Sequence, residues 1–545
     1  MKFFAPLLFA VQVSVVFAVP LAGPTVSLDS ATVTGVTEGR VSRFLGIPYA
    51  QPPTGDRRFR PPELLSSYTG SVDATSAKPA CPQQRDKVPY VSDGLLKEVI
   101  DYLIKTYETN TTPDSEDCLN INVLKPVNAT TDSKLPVLVW IFGGGFEAGS
   151  ANGEGGHGIV ERSIDLNDSL IFVSMDYRVN GFGFLASKEV KEAGVANLGL
   201  RDQREALRWV QKYIGAFGGD PTKVTIWGES AGAISVGLQM VANGGETEGL
   251  FRAAFMQSGA TIPVGDISHG QVYYDQLVST TGCSGSPDTL ACLRQVPYEK
   301  LYDAISDTPG IFSYQSLHLA WLPRVDGDFL GDSPQRLAQQ GKVADVPFVS
   351  GNCDDEGTAF SLTSLNVTTD DAVREYLKTV LLPPDVPDSD LDELMRVYPA
   401  DITQGSPYDT GPFNALTPQF KRLSSVQGDA VFQGPRRFLL QSVSGKQDMW
   451  SFLSKRLKYL PFVGATHGTD IQNVFGGGDM ADYLIRFAAI LDPNGSTGIP
   501  WPKYTTESPN MLTFQDGLPS LVITQDTYRK EAMEVATKIL LEHPL

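Results

Sequence analysis

The chain has 545 residues, 41% of them hydrophobic, so it carries the apolar material for a large core and exceeds the length at which one core usually stops growing. Its formal net charge of −19 argues against nucleic acid and against strongly anionic membranes as partners. No internal repeat or low-complexity linker divides it, so the composition favours one large α/β domain over residues 19–545, with long insertions, rather than two domains.

The first element is Met1-Lys2, an apolar run from Phe3 to Phe17, and small residues at Val16-Phe17-Ala18. This reads as a secretory signal peptide over residues 1–18, with cleavage after Ala18 or, alternatively, Ala22. A membrane-spanning helix would need about 20 apolar residues, and Pro6, Gln12 and Ser14 interrupt this run. The expected location is therefore extracellular. Five cysteines agree with an oxidising compartment, where four can pair and one stays free. Spacing favours Cys81–Cys118 and Cys283–Cys292 without fixing the connectivity. Sequons at Asn110, Asn128, Asn167, Asn366 and Asn494 fit a glycosylated product.

Between Cys81 and Cys118 the pattern is helical. Leu95, Val99, Leu103 and Tyr107 recur every fourth residue, with Leu96, Ile100 and Ile104 beside them and Lys97, Glu98 and Asp101 on the other side. Downstream, short apolar runs bounded by turn residues predict buried strands at Leu135–Phe142, Leu170–Met175, Val224–Trp227, Val346–Ser350, Met449–Leu453 and Leu521–Ile523. Helical patterns lie between and after them, at Gln203–Ile214 and at about Thr527–Leu541. Strands alternating with helices predict a mainly parallel sheet covered on both faces, with chemistry at the carboxyl ends of its strands. The Pro- and Gly-rich stretches near 382–415 and 464–500 read as surface excursions.

One strand leads into Gly228-Glu229-Ser230-Ala231-Gly232, followed by a helical stretch to about Met240. This is the strand, tight turn and helix of a nucleophile elbow, which lifts a serine oxygen to the mouth of a sheet. A serine hydroxyl needs a base, and the base needs an orienting carboxylate. In the α/β-hydrolase fold that this layout predicts, the chain order is serine, acid, histidine. His157, His269 and His318 come too early, and His543 lies in an expected frayed end, which leaves His467 in Gly464-Ala465-Thr466-His467-Gly468. The acid belongs among Asp354, Asp355 and Glu356, just after a predicted strand; the pattern does not choose among them, and the two not used are expected to be solvated or capping groups. Backbone donors for an oxyanion come from Ala231 and from the turn Gly143-Gly144-Gly145 after Leu135–Phe142. Gly476-Gly477-Gly478 has the same composition but no clear strand before it, and reads as a structural turn.

These residues resemble the type-B carboxylesterase/lipase family, which also contains the cholinesterases. The resemblance covers most of the mature chain. It is carried by Phe44-Leu45-Gly46-Ile47-Pro48-Tyr49-Ala50-Gln51-Pro52-Pro53, Glu116-Asp117-Cys118-Leu119-Asn120-Ile121-Asn122-Val123, Asn197-Leu198-Gly199-Leu200-Arg201-Asp202-Gln203 and Phe217-Gly218-Gly219-Asp220-Pro221. The chain looks most like the secreted fungal lipases of the Candida rugosa and Geotrichum type.

The resemblance implies an α/β-hydrolase with large insertions and a disulfide-tethered lid. It implies catalytic Ser230, Glu356 and His467, oxyanion donors Gly144, Gly145 and Ala231, disulfides Cys81–Cys118 and Cys283–Cys292, and a free Cys353. The segment 86–114 then reads as the lid, its apolar face formed by Leu95, Leu96, Val99, Ile100, Leu103 and Ile104. Ala359 and Phe360, beside the acid turn, are the expected borders of the acyl pocket. The implied activity is hydrolysis of long-chain acyl esters through an acyl-enzyme, with no metal or organic cofactor. The alternatives are an esterase for bulky esters, such as steryl, carotenoid or feruloyl esters, and a non-catalytic binding protein. The expected partner is a lipid or other ester substrate, with no transmembrane segment and a monomer or a lid-mediated homodimer.

Overall fold

The computed structural model describes residues 23–85, 94–107 and 113–545, so the expected signal peptide lies outside the described residues. Its centre is an 11-stranded sheet. From one edge the strands run Leu521–Gln525, Asn510–Gln515, Met449–Lys455, Phe348–Cys353, Ala253–Gln257, Gly219–Glu229, Leu135–Ile141, Ile171–Met175, Asn120–Pro126, Val41–Pro48 and Val36–Glu38. The seven from Asn510–Gln515 to Ile171–Met175 are parallel to their neighbours, and the flanking pairs are antiparallel. A second sheet of three strands, Thr25–Leu28, Ala31–Thr34 and Ser71–Asp73, sits near the amino-terminal side of the chain.

The central strands are apolar because helices cover both of their faces. Leu135–Ile141 is buried from Val137 onward, and Trp140 on it packs at a tilt against Trp227, its partner in the parallel register, with ring centroids 4.3 Å apart. The helix Leu198–Tyr213 packs beside them, five residues longer at its start than the predicted Gln203 boundary. The helix Ala231–Val241 is buried along its whole length.

Several expectations are corrected. The run Leu521–Ile523 forms a half-exposed antiparallel edge strand rather than a buried parallel one. The stretch 464–500 is no surface excursion, because it holds the buried His467 and the helix Asp479–Ile490, buried from Met480 to Ala488. The last helix runs Lys530–Glu542, and His543 beyond it is anchored rather than frayed, its Nδ1 lying 2.8 Å from Asp385 Oδ2. Among the described residues no helix is long and apolar enough to cross a membrane.

Candidate active site

The strand Gly219–Glu229 ends in the sharp turn that the glycines anticipate. Ser230 sits at φ 55° and ψ −127°, a conformation that costs a side-chain-bearing residue on the order of 1–3 kcal/mol. Neighbouring structure holds it there: its amide donates to the Gln257 carbonyl at 2.9 Å, and its carbonyl accepts from the Ile234 amide at 2.9 Å. A Cβ at position 228 would lie 2.4 Å from the Gly232 carbonyl carbon, and one at 232 would lie 2.0 Å from the Ile141 oxygen. Only glycine lets the strand, the turn and the helix close this tightly.

Three loops at the carboxyl ends of neighbouring strands converge on this turn. His467 Nε2 lies 2.7 Å from Ser230 Oγ, and His467 Nδ1 lies 2.6 Å from Glu356 Oε2. The other Glu356 oxygen, Oε1, accepts the Cys353 amide at 2.7 Å, which locks the carboxylate at the end of its strand. Phe360 and Phe432 flank the imidazole, with ring centroids 5.2 and 4.5 Å from it. These side chains shield the ring from water and limit its rotation.

The carboxylates that share the acid turn do other work. Asp354 and Asp355 are buried, not solvated, and both pair with Lys458 Nζ, at 2.5 and 2.6 Å. Asp355 also accepts the Ala465 amide at 2.9 Å and the Tyr408 amide at 2.8 Å, while its own amide donates to the Ala465 carbonyl at 3.0 Å. Asp355 thus clamps the loop that carries His467, two residues before the imidazole.

Gly144 and Gly145 turn at φ 110° and 64° after the strand Leu135–Ile141. Among the described residues none accepts a hydrogen bond from either amide. Gly145, Ala231 and Ser230 line one pocket. Gly476–Gly478 follows a short helix, Ile471–Phe475, and is a turn.

A second carboxylate stands close to the same histidine. Glu229 Oε1 lies 3.5 Å from His467 Nε2 and finds no hydrogen-bond donor among the described residues. Burial, with smaller contributions from Asp470, Glu356 and Glu154, pushes its pKa well above the carboxylate range, while the His467 charge opposes this. For His467, burial favours the neutral ring, but the charges of Glu229 and then Glu356 outweigh it and raise the pKa to about 9. Glu229 Oε1 is buried without a donor among the described residues, which adds to the cost of charging this carboxyl. Asp470, also raised by burial, sits behind the pair and accepts from Gln257 Nε2 at 2.9 Å.

The pocket that reaches Ser230 is apolar, lined by Ile234, Ile262, Ile311, Leu319, Phe360 and Phe432 among others. Of the two expected acyl-pocket residues, Phe360 lines it and Ala359 does not. Ala359 instead packs with Val463 and Val99 in a small separate cluster that includes Leu362, Leu460 and Phe462. Sequence reading missed Phe432. It lies on a π-helical turn, Asp429–Gln433, inserted between the helices Phe420–Gly428 and Gly434–Ser442. Such inserted turns often accompany functional sites, but no residue pattern announces this one. Ile311 and Leu319 were equally silent, since they come from an irregular segment.

The helix expected between Cys81 and Cys118 is present as Leu95–Tyr107. Of its apolar face, Val99 is buried in the Ala359 cluster, Leu96 and Ile100 are half-buried, and Leu95 is exposed. The side chains of Leu103 and Ile104, and the ends of the 86–114 segment at 86–93 and 108–112, lie outside the described residues. Cys81–Cys118 and Cys283–Cys292 are disulfides, and Cys353 is free and buried. Asn128, Asn167 and Asn366 are exposed, Asn494 is half-buried, and Asn110 lies outside the described residues. Among the described residues, one group has the donor set of a metal site: Asp390, Glu542 and His543, with ligand atoms within 4.8 Å of one another. Lys538 Nζ already sits 3.8 Å from Asp390, and none of the three lines the Ser230 pocket.

The chain and its fold have close relatives. The chain is 45% identical over 501 residues to a lipase of Diutina rugosa named Lipase 4, covering 89% of this chain and 90% of that one. It is 40% identical to a secreted triacylglycerol lipase of Gibberella zeae, covering 94% and 89% of the two chains. The solved structure of EstA from Aspergillus niger superposes with a TM-score of 0.81 at 27% identity, over 96% of this chain and 99% of that one. The model of the carboxylesterase family matches residues 22–535. With an elbow serine, a histidine and a glutamate meeting at the carboxyl edge of this sheet, and with a family match over nearly its whole length, the chain belongs to the carboxylesterase family.

Proposed function

We propose that this protein is a secreted serine hydrolase of carboxylic esters, and that its preferred substrates carry long acyl chains. The observation that carries the reading is the unbroken line of short contacts from Glu356 through His467 to Ser230, ending in an apolar pocket. The relatives named as secreted lipases support it, and the two disulfides fit an oxidising compartment.

His467 Nε2 takes the Ser230 proton as Oγ attacks the ester carbonyl. The charge that forms on the carbonyl oxygen is met by the amides of Gly144, Gly145 and Ala231. Glu356 holds the ring with Nδ1–H towards itself and stabilises the imidazolium. His467 then gives the proton to the departing alcohol, and water repeats the cycle on the acyl-enzyme to release the acid. The apolar lining of the pocket suits an acyl chain. The helix Leu95–Tyr107, fastened at the base of its loop by Cys81–Cys118 and seated on the Ala359 cluster, serves as the lid. Its apolar residues would meet lipid once it lifts.

The test is covalent. A long-chain p-nitrophenyl phosphonate should release one equivalent of nitrophenol and leave its phosphonyl mass on the peptide containing Ser230. No adduct in the native protein, or an adduct that survives in Ser230→Ala, would contradict the assignment.

A further inference from the structure

The turn that offers the Gly144 and Gly145 amides is built on consecutive glycines, Gly143-Gly144-Gly145, and such a stretch holds no shape by itself. Oxyanion donors are effective when they are fixed before the charge forms. Two bonds close the turn from within: the Gly144 carbonyl accepts the Glu147 and Ala148 amides, each at 3.0 Å. Backbone amides hold its middle from outside, Gln84 to the Glu147 carbonyl at 2.8 Å and Asn180 to the Phe146 carbonyl at 2.6 Å. Its far end, Gly149, runs back against its start, so close that a Cβ there would lie 2.5 Å from the Gly143 oxygen.

That far end is gripped by a side chain. Gln83 Oε1 accepts the Gly149 amide at 2.6 Å, and Gln83 Nε2 donates to the Gly149 carbonyl at 3.1 Å and to the Cys81 carbonyl. The primary amide thus pairs with Gly149 as a neighbouring strand would, and both of its N–H bonds are used. These partners also fix which way round the amide sits, since the reverse orientation would set an N–H against the Gly149 N–H. Gln83 follows closely on Cys81, whose disulfide to Cys118 anchors this stretch of chain. It does not line the pocket that reaches Ser230.

We propose that Gln83 is a positioning residue that holds the oxyanion turn in its working shape through Gly149. The role rests on the ester-hydrolase reading, with Gly144 and Gly145 as donors. Without the Gln83 amide, Gly149 can drift from Gly143, and the glycines before it lose the frame that aims their amides. An ester in its ground state makes weak use of those amides, whereas the tetrahedral state sets a full charge against them. Loss of Gln83 therefore raises the barrier and leaves substrate binding alone.

The experiment compares Gln83→Met, which keeps an unbranched side chain but neither bond to Gly149, with the native protein on p-nitrophenyl butyrate. Rates are expressed per site titrated to completion with the p-nitrophenyl phosphonate, so unfolded chains do not count. kcat should fall about 10- to 100-fold, with KM changed by less than about twofold. A trifluoromethyl ketone gives the second reading. Ser230 Oγ adds to its carbonyl carbon, the π pair moves to the oxygen and the serine proton goes to His467, so the oxyanion of the adduct rests on the turn. Its Ki should rise by the factor by which kcat/KM falls, while the Ki of a 2-alkanol of equal length, which forms no oxyanion, does not change. The acid limb of the pH profile should not move, because His467 is undisturbed. Native kcat in Gln83→Met would overturn the proposal. So would an equal rise in both Ki values, which would mean general damage to the pocket, and so would a variant without titratable sites, which would make Gln83 a residue of the fold alone. A native protein that releases no nitrophenol from the phosphonate would instead overturn the hydrolase reading.

Discussion

His467 Nε2 lies 2.7 Å from Ser230 Oγ although 237 residues separate the two in sequence. The contact is possible because the elbow and the histidine loop leave the same edge of one sheet, from strands Gly219–Glu229 and Met449–Lys455. Replacing Ser230 with Ala should lower kcat by a factor on the order of 10⁵–10⁶. Glu356→Gln, which keeps shape but upsets the histidine tautomer, should cost about 10⁴-fold. Steady-state rates on a soluble ester measure both. A Glu356→Gln protein within tenfold of native would remove Glu356 from the mechanism.

Asp355 should matter without touching substrate. It holds the histidine loop through the Ala465 amide and is paired with Lys458 in a buried setting. Asp355→Ala leaves Lys458 facing Asp354 alone and frees the loop, so stability should fall by about 3–5 kcal/mol, as when one partner of a buried pair is lost. Urea unfolding measures this, and kcat should fall further than KM rises. A stable variant with native kcat would mean that the loop is held by other contacts.

The pH profile separates the two carboxylates near His467. Only the neutral imidazole can take the Ser230 proton, so kcat/KM should fall as pH drops through the His467 pKa. That pKa is raised by the charge of Glu229 only when Glu229 is ionised. Burial disfavours the Glu229 anion, so Glu229→Gln, a neutral isostere, should leave the acid limb near its native position. A shift of that limb to lower pH by about one unit or more, equivalent to roughly 1.4 kcal/mol, would show that Glu229 carries charge in the native protein.

Exposure orders the sequons. Asn128, Asn167 and Asn366 present their side chains to solvent. Asn494 spends its amide nitrogen on the Asp492 carboxylate at 2.8 Å and the Trp501 carbonyl at 3.0 Å, and its side-chain oxygen accepts the Trp501 amide at 2.6 Å. Glycopeptide mass spectrometry of the secreted protein should find glycan at the first three and an unmodified Asn494. High occupancy at Asn494 would mean that this turn forms after the sugar is added.

What the sequence made legible follows from how local each signal is. Val224–Trp227 and Leu135–Phe142 stand out because strands buried on both faces are mostly apolar, with Thr225 the one polar side chain in these two runs. Ser230 stood out because its turn tolerates only glycine at positions 228 and 232. Ala253–Gln257 passed unnoticed, since its two alanines and a terminal glutamine make a weak apolar run, although the strand is fully buried. Asp354, Asp355 and Glu356 are chemically alike in sequence, and only the direction in which the strand Phe348–Cys353 releases the chain sends Glu356 to the histidine and Asp355 to Lys458. The pocket was the least legible part. Ile262, Ile311, Phe432 and Leu545 come from four distant segments, and each alone looks like any core residue.

As proposed above, Ser230 hydrolyses long-chain esters behind a lid that lipid opens. The most direct measurement is the hydrolysis rate of a triacylglycerol, such as tributyrin, as its concentration is raised through its solubility limit, with Ser230→Ala in parallel. Little turnover of the dissolved ester is expected, then a steep rise once droplets form, and neither in Ser230→Ala. Saturation below the solubility limit, with no rise beyond it, would contradict the lid and leave an ordinary esterase. Turnover that persists in Ser230→Ala would contradict the site itself.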